Sequence, residues 1–182
     1  MLRTESESWS ATAKLFHWSM AALIFAQIAL GLAAVSWRVS PAKLNLFVWH
    51  KSTGMLILAL LALRLLWRLS HRVPGLPREM PLWERAGARL SHFLLYALML
   101  ALPLTGWVIS SASNVPFRIF WAIPLPAIVA PDKALADLFA TIHGWLVTLL
   151  ALVLVAHIGA ALRHHYVNRN TVLARMLPWS TP

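Results

Sequence analysis

The sequence predicts an all-α integral membrane protein, an antiparallel four-helix bundle forming one membrane domain over residues 1–182. Three observations predict it. Of the 182 residues 59% are hydrophobic and only 12% charged, where a soluble domain carries about 25% charge. Four apolar stretches are each long enough to cross a hydrocarbon core, which takes roughly 20 residues. Short connections join them, so neighbours in sequence run antiparallel. The mean hydropathy of +0.67 agrees.

The first span is expected near residues 15–35. Small residues end it (Ala33, Ala34), as at a signal-peptide cleavage site, but Glu5 and Glu7 are atypical of the basic leader of such peptides. The second lies near 47–69, the third near 90–111 and the fourth near 138–162. The connection SHRVPGLPREMPLWERAGAR is broken by prolines, and with the end of span two it holds Arg64, Arg68, Arg72, Arg78, Arg85 and Arg89. The tail adds Arg163, Arg169 and Arg175, whereas the other two connections hold Arg38, Lys43 and Lys51, and Arg118 and Lys133. By the positive-inside rule both termini and the middle connection are cytoplasmic. The outer loop 114–137 sets Pro116, Pro124, Pro126 and Pro131 among Phe117, Phe120 and Trp121, and is expected to lie as an apolar lid in the interface.

The net charge of +10 would point to nucleic acid in a soluble protein. Here the cations sit between apolar runs, so a nucleic-acid partner is excluded and the lipid bilayer takes its place. With no cysteine, disulfides, iron–sulfur ligation and thiol chemistry are excluded too.

Ionisable residues inside spans are costly and usually functional, and the histidines here form a pattern. His143 and His157 are 14 residues apart, about 21 Å along a helix and within about 40° of one face. His17 opens span one and His50 opens span two. The antiparallel order puts His50 at the depth of His143 and His17 at the depth of His157, one pair in each leaflet. Zinc takes four ligands, with carboxylates behind its histidines, and no acid lies near the centre of a span. A haem iron needs two axial ligands only, and c-type attachment needs a CxxCH motif that is absent. The expectation is two bis-histidine b haems, with Gly31, Gly54, Gly144 and Gly159 admitting the macrocycles. Glycine and lone histidines also serve ordinary helix packing in membranes.

Arg64 lies 14 residues past His50, at the depth of the inner pair, with Arg68 one turn on. Both are candidates for haem propionates or a quinone headgroup, since the arginine fork suits carboxylate oxygens, or serve simply as positive-inside anchors. His164, seven residues past His157, and His92, which opens span three, are candidates for hydrogen bonds and a proton to a quinone carbonyl. His71 and His165 read as surface residues.

These residues resemble the bacterial cytochrome b561 family of four-helix dihaem membrane cytochromes. The likeness runs through FHW at His17, WHKSTG at His50, RLLWR, ARLSHFLLY at His92, IHGW at His143, AHIGAALRHHY at His157 and the closing TVLARMLPW. It implies a multi-pass protein of the bacterial inner membrane that holds two non-covalent b haems and moves electrons between membrane or periplasmic donors and quinone. For some members it implies superoxide oxidation with reduction of ubiquinone. A looser likeness to the cytochrome b subunits of hydrogenases implies the alternative, a haem-bearing anchor that passes on a partner's electrons. With both axial positions filled, outer-sphere electron transfer is the chemistry left. Arg38, Lys43, Lys51, Arg118 and Lys133 against Asp132 and Asp137 make the outer face positive, which steers a small anion such as superoxide better than a cationic protein donor. A transporter or channel would show a polar stripe or intramembrane acids, which the spans lack.

Overall fold

Each predicted span becomes the middle of a longer helix. In the computed structural model, which describes residues 8–71, 74–76 and 80–179, helix α1 runs Ala11–Ser36, α2 Pro41–Ser70, α3 Leu82–Ala112 and α4 Lys133–Tyr166. Hydropathy marks only the lipid-facing middle of a helix, and capping sets its ends. The Ser10 hydroxyl accepts the Ala13 amide and Ser40 accepts that of Lys43, with Pro41 in the first turn of α2. Asp132 starts α4 by accepting the Leu135 amide, a carboxylate at the positive end of the helix dipole. Pro103 sits inside α3. Such a proline is tolerated in a membrane helix because neighbours re-satisfy the freed backbone groups. All four helices are long and apolar enough to cross a membrane. Glu5, Glu7, Arg72 and Arg78, used in the sequence reading, lie outside the described residues.

Helix α1 packs along α2, α2 along α3, and α3 along α4. Between the helices Met20, Ile24, Ile57, Leu61, Leu98, Met99, Leu150 and Val153 form one buried cluster at mid-height. Large apolar residues such as Leu32, Leu63, Leu66, Leu152 and Val155 are exposed. In water that would be an aggregating surface; in a bilayer it is the solvated one.

The 114–137 connection is more ordered than an irregular lid. Phe117–Ile119 (β1) pairs antiparallel with Ile123–Leu125 (β2), Ile119 opposite Ile123. The turn between them puts Phe120 at φ 46° and Trp121 at φ 61°, a left-handed conformation that glycine or asparagine normally supplies. The strain, of order 1–3 kcal/mol per residue, is offset by docking. The Phe120 amide donates to the wholly buried Ser52 Oγ at 2.8 Å, and Trp49 meets the rings of Phe120 and Trp121.

The first and last described segments meet at the opposite end. The chain after α4 folds back beneath the bundle through a 3-10 turn, Ala174–Met176. Trp9 N–H and Ser8 Oγ donate to the Arg175 carbonyl, Trp18 Nε1 donates to that of Met176 at 2.8 Å, and Arg175 donates to that of Gly75.

Candidate functional site

Two histidine pairs span the gap between α4 and the α1–α2 pair. His17 of α1 faces His157 of α4 with ring centroids 6.4 Å apart, and His50 of α2 faces His143 of α4 at the same 6.4 Å. The apolar cluster lies between the two pairs. Imidazoles in direct contact with other rings in this protein are closer: 5.2 Å for His17 and Trp18, 5.4 Å for His92 and His157, 3.5 Å for His71 stacked on Trp67. A metal ion held by two imidazole nitrogens, at about 2 Å from each, sets the ring centres about 6 Å apart. The 6.4 Å separation of each pair matches that distance.

At the hairpin end the outward ring nitrogens are held by hydrogen bonds. His50 Nδ1 is 3.2 Å from the Gln27 backbone oxygen. A carbonyl only accepts, so Nδ1 carries the hydrogen and Nε2 presents its lone pair. His143 Nδ1 lies 2.8 Å from Thr105 Oγ1, whose own hydrogen is committed to the Leu102 carbonyl at 2.9 Å. That hydroxyl must therefore accept from Nδ1, which again frees Nε2. His157 Nδ1 has Ser91 Oγ at 3.5 Å, and the His17 ring is braced edge-on by Trp18. Gly31 makes room for His50, because a Cβ there would meet the ring at 2.9 Å, whereas a Cβ on Gly106 would make only ordinary contact with His143, at 3.8 Å. Gly54 accommodates the Gln27 amide instead. Gly144 and Gly159, expected to flank the histidines closely, have nothing within 4 Å of a built Cβ.

A cavity of about 1540 Å³ opens around His17 and His157 at the end holding the termini. Arg64, Arg68 and His92 line it, as do Tyr96, His71 and the folded-back tail. Arg64 and Arg68 stand over the Tyr96 ring at 5.5 and 5.6 Å, and Arg68 reaches its hydroxyl at 3.5 Å. Arg85, Arg89 and Arg175 complete a lining that contains no carboxylate among the described residues. Such a wall suits an anionic group. His71 is exposed, as expected, yet also sits at the cavity mouth. His165, partly buried, meets the Tyr166 ring edge-on.

His164 lies elsewhere. It was expected to share this cavity with His92, but it is buried away from it. The Asn168 and Asn170 carboxamides donate to its Nδ1 at 3.2 and 2.8 Å, and its Nε2 faces Glu84 Oε2 at 3.7 Å. Glu84 also accepts from Arg163 at 2.7 Å. A carboxylate on the first turn of α3 and the chain reversal after α4 capture the ring, and neither is visible in α4's own spacing. Glu84, Tyr96, Gln27, Ser91 and Thr105 are the residues that sequence reasoning passed over. A lone carboxamide in an apolar span was a readable signal for Gln27. For Glu84 there was none, because its position just outside a span is ordinary.

Among the described residues no three His, Cys, Asp or Glu side chains converge to hold a free metal ion. Two facing imidazoles suffice only for a metal that brings its other donors in a plane, and the cationic cavity suits carboxylates at that plane's edge. The residues therefore fit a porphyrin-bound iron. The sequence profile described as prokaryotic cytochrome b561 matches residues 8–179. Cytochrome b561 homolog 2 of Escherichia coli (strain K12) is 34% identical over 178 residues, covering 94% of this chain and 92% of that protein. Cytochrome b561 homolog 1 of the same organism is 29% identical over 175 residues, 93% of this chain and 97% of that one. A probable superoxide oxidase CybB of Yersinia pestis is 32% identical over 130 residues, 71% and 73% of the two chains.

Proposed function

Because the chain belongs to the prokaryotic cytochrome b561 family, and so is a haem-binding electron-transfer protein spanning the bacterial inner membrane several times, we propose that it is a dihaem cytochrome carrying electrons from a periplasmic donor to ubiquinone. His17 and His157 would hold one haem b and His50 and His143 the other. When bound, each haem would supply one-electron redox chemistry, with these histidines as the side chains that would hold it. The observation that carries this reading is the identical 6.4 Å spacing of two imidazole pairs on either side of an apolar core.

The chain's own residues have separate tasks. Gln27 and Thr105 orient the ligands at the hairpin end, which the arginine distribution puts in the periplasm. The apolar cluster excludes water between the two ends. Arg64 and Arg68 offer charge-assisted hydrogen bonds to propionate or quinone oxygens. His92, in the same wall, is placed to hand a proton to a reduced quinone. Superoxide is the donor favoured by charge, and the likeness to a probable superoxide oxidase supports it.

A pyridine haemochrome assay with a reduced-minus-oxidised spectrum is the test. It should give two b haems per chain, and His157→Ala should give one. A folded His157→Ala protein that loses both haems, or keeps both, would overturn the pairing.

A further inference from the structure

Gln27 lies ten residues past His17 in α1, and both its side chain and its backbone oxygen reach His50 on α2. Its backbone oxygen takes the His50 Nδ1 hydrogen at 3.2 Å. In return its side-chain Nε2 donates to the His50 backbone oxygen at 2.8 Å and stands 3.4 Å from the His50 ring Nε2. The carbonyl only accepts, so the NH2 end of the carboxamide must face it. The other end, Oε1, is consequently buried with no partner among the described residues. An orphaned buried acceptor is costly, and a residue selected only to join two helices would not need one.

Two glycines make space for this exchange. A Cβ on Gly54 would meet Gln27 Nε2 at 3.2 Å, and one on Gly31 would meet His50 Cε1 at 2.9 Å. Gln27, Gly31 and Gly54 therefore form a socket around one imidazole. The second histidine of that pair is held through Thr105, while at the opposite end of the bundle Ser91 lies at the long limit, 3.5 Å, from His157. The firm outer-shell hydrogen bonds belong to the hairpin-end pair.

We propose that Gln27 is a positioning residue for His50. Its side chain ties α1 to α2 so that its own carbonyl stays on Nδ1, which fixes the tautomer and keeps the ring electron-rich. An electron-rich axial ligand favours the oxidised iron, so loosening this tie raises the midpoint potential of that one haem. The proposal rests on the reading of His50 as an axial ligand.

The test compares wild type with Gln27→Met, which keeps the length of the side chain and removes its donor, in the full-length haem-loaded protein. The expected result has four parts: two haems per chain, an upward shift of one midpoint potential, an unchanged second potential, and an altered low-spin paramagnetic resonance signal for the shifted haem alone. The melting temperature should not fall, since the His50 carbonyl keeps its helical bond and the orphaned oxygen is gone. Should the Met variant assemble without haem, Gln27→Asn, one methylene short of the His50 carbonyl, gives the same readout. Unchanged or lowered potentials, or equal shifts of both, overturn the role of Gln27 even if His50→Ala loses a haem. If His50→Ala keeps both haems, the ligand reading itself has failed.

Discussion

Glu84 shows how much one side chain can organise outside the cofactor sites. It is a buried carboxylate bonded to Arg163 at 2.7 Å and facing His164, and so joins the start of α3 to the end of α4. Arg163 is about half exposed, with a side-chain accessibility of 49%, which screens the pair. Glu84→Gln keeps the shape and removes the charge. It should cost about 1–2 kcal/mol, read as a lowered melting temperature with the haem count unchanged. Loss of haem instead would mean that the cluster reaches into the cavity. The same residue explains why His164 was misplaced by spacing alone: seven residues past His157 returns to nearly the same face, but that arithmetic holds no information about a partner 80 residues away in the chain.

Among the elements, the folded-back tail has the clearest consequence. Val172, Leu173, Arg175, Met176 and Leu177 line the cavity around His17 and His157. The tail is tied to the chain's start through Ser8, Trp9 and Trp18. Ending the chain after Asn170 should leave the four helices intact and unroof one site. Transfer of haem to excess apomyoglobin should then become several-fold faster for one of the two haems and stay unchanged for the other, which serves as the internal control. Equal rates for truncated and full-length protein would show that the tail is not a wall of the site. The hairpin is the matching element at the other end. Its strained Phe120–Trp121 turn is held down by Ser52 and Trp49.

For the whole molecule, charge separates the two ends. The hairpin end carries Arg38, Lys43, Lys51, Arg118 and Lys133 against Asp132 and Asp137, and Lys133 is already paired with Asp137 at 2.6 Å. The remaining positive excess is small, so its effect should appear in rate more than in affinity. Raising ionic strength from about 0.01 to 0.15 M shortens the screening length from about 30 to 8 Å. Superoxide-driven reduction of the protein should slow several-fold over that range. A flat salt dependence would remove electrostatic steering from the account of this surface.

The sequence by itself determined the four spans, their antiparallel order and the levels at which the histidines meet. Rise and rotation per residue are fixed in a helix, and an apolar stretch of a given length has one way to cross a bilayer. The tertiary structure decided what depends on residues far apart in the chain: the Glu84–His164 pairing, the tail beneath the cavity, the hairpin on α2, and the exchange between Gln27 and His50. Helical periodicity gives depth and face on one helix, whereas a hydrogen bond between two helices is set by how closely they pack. Gly31 and Gly54 settle that distance only once α1 lies against α2.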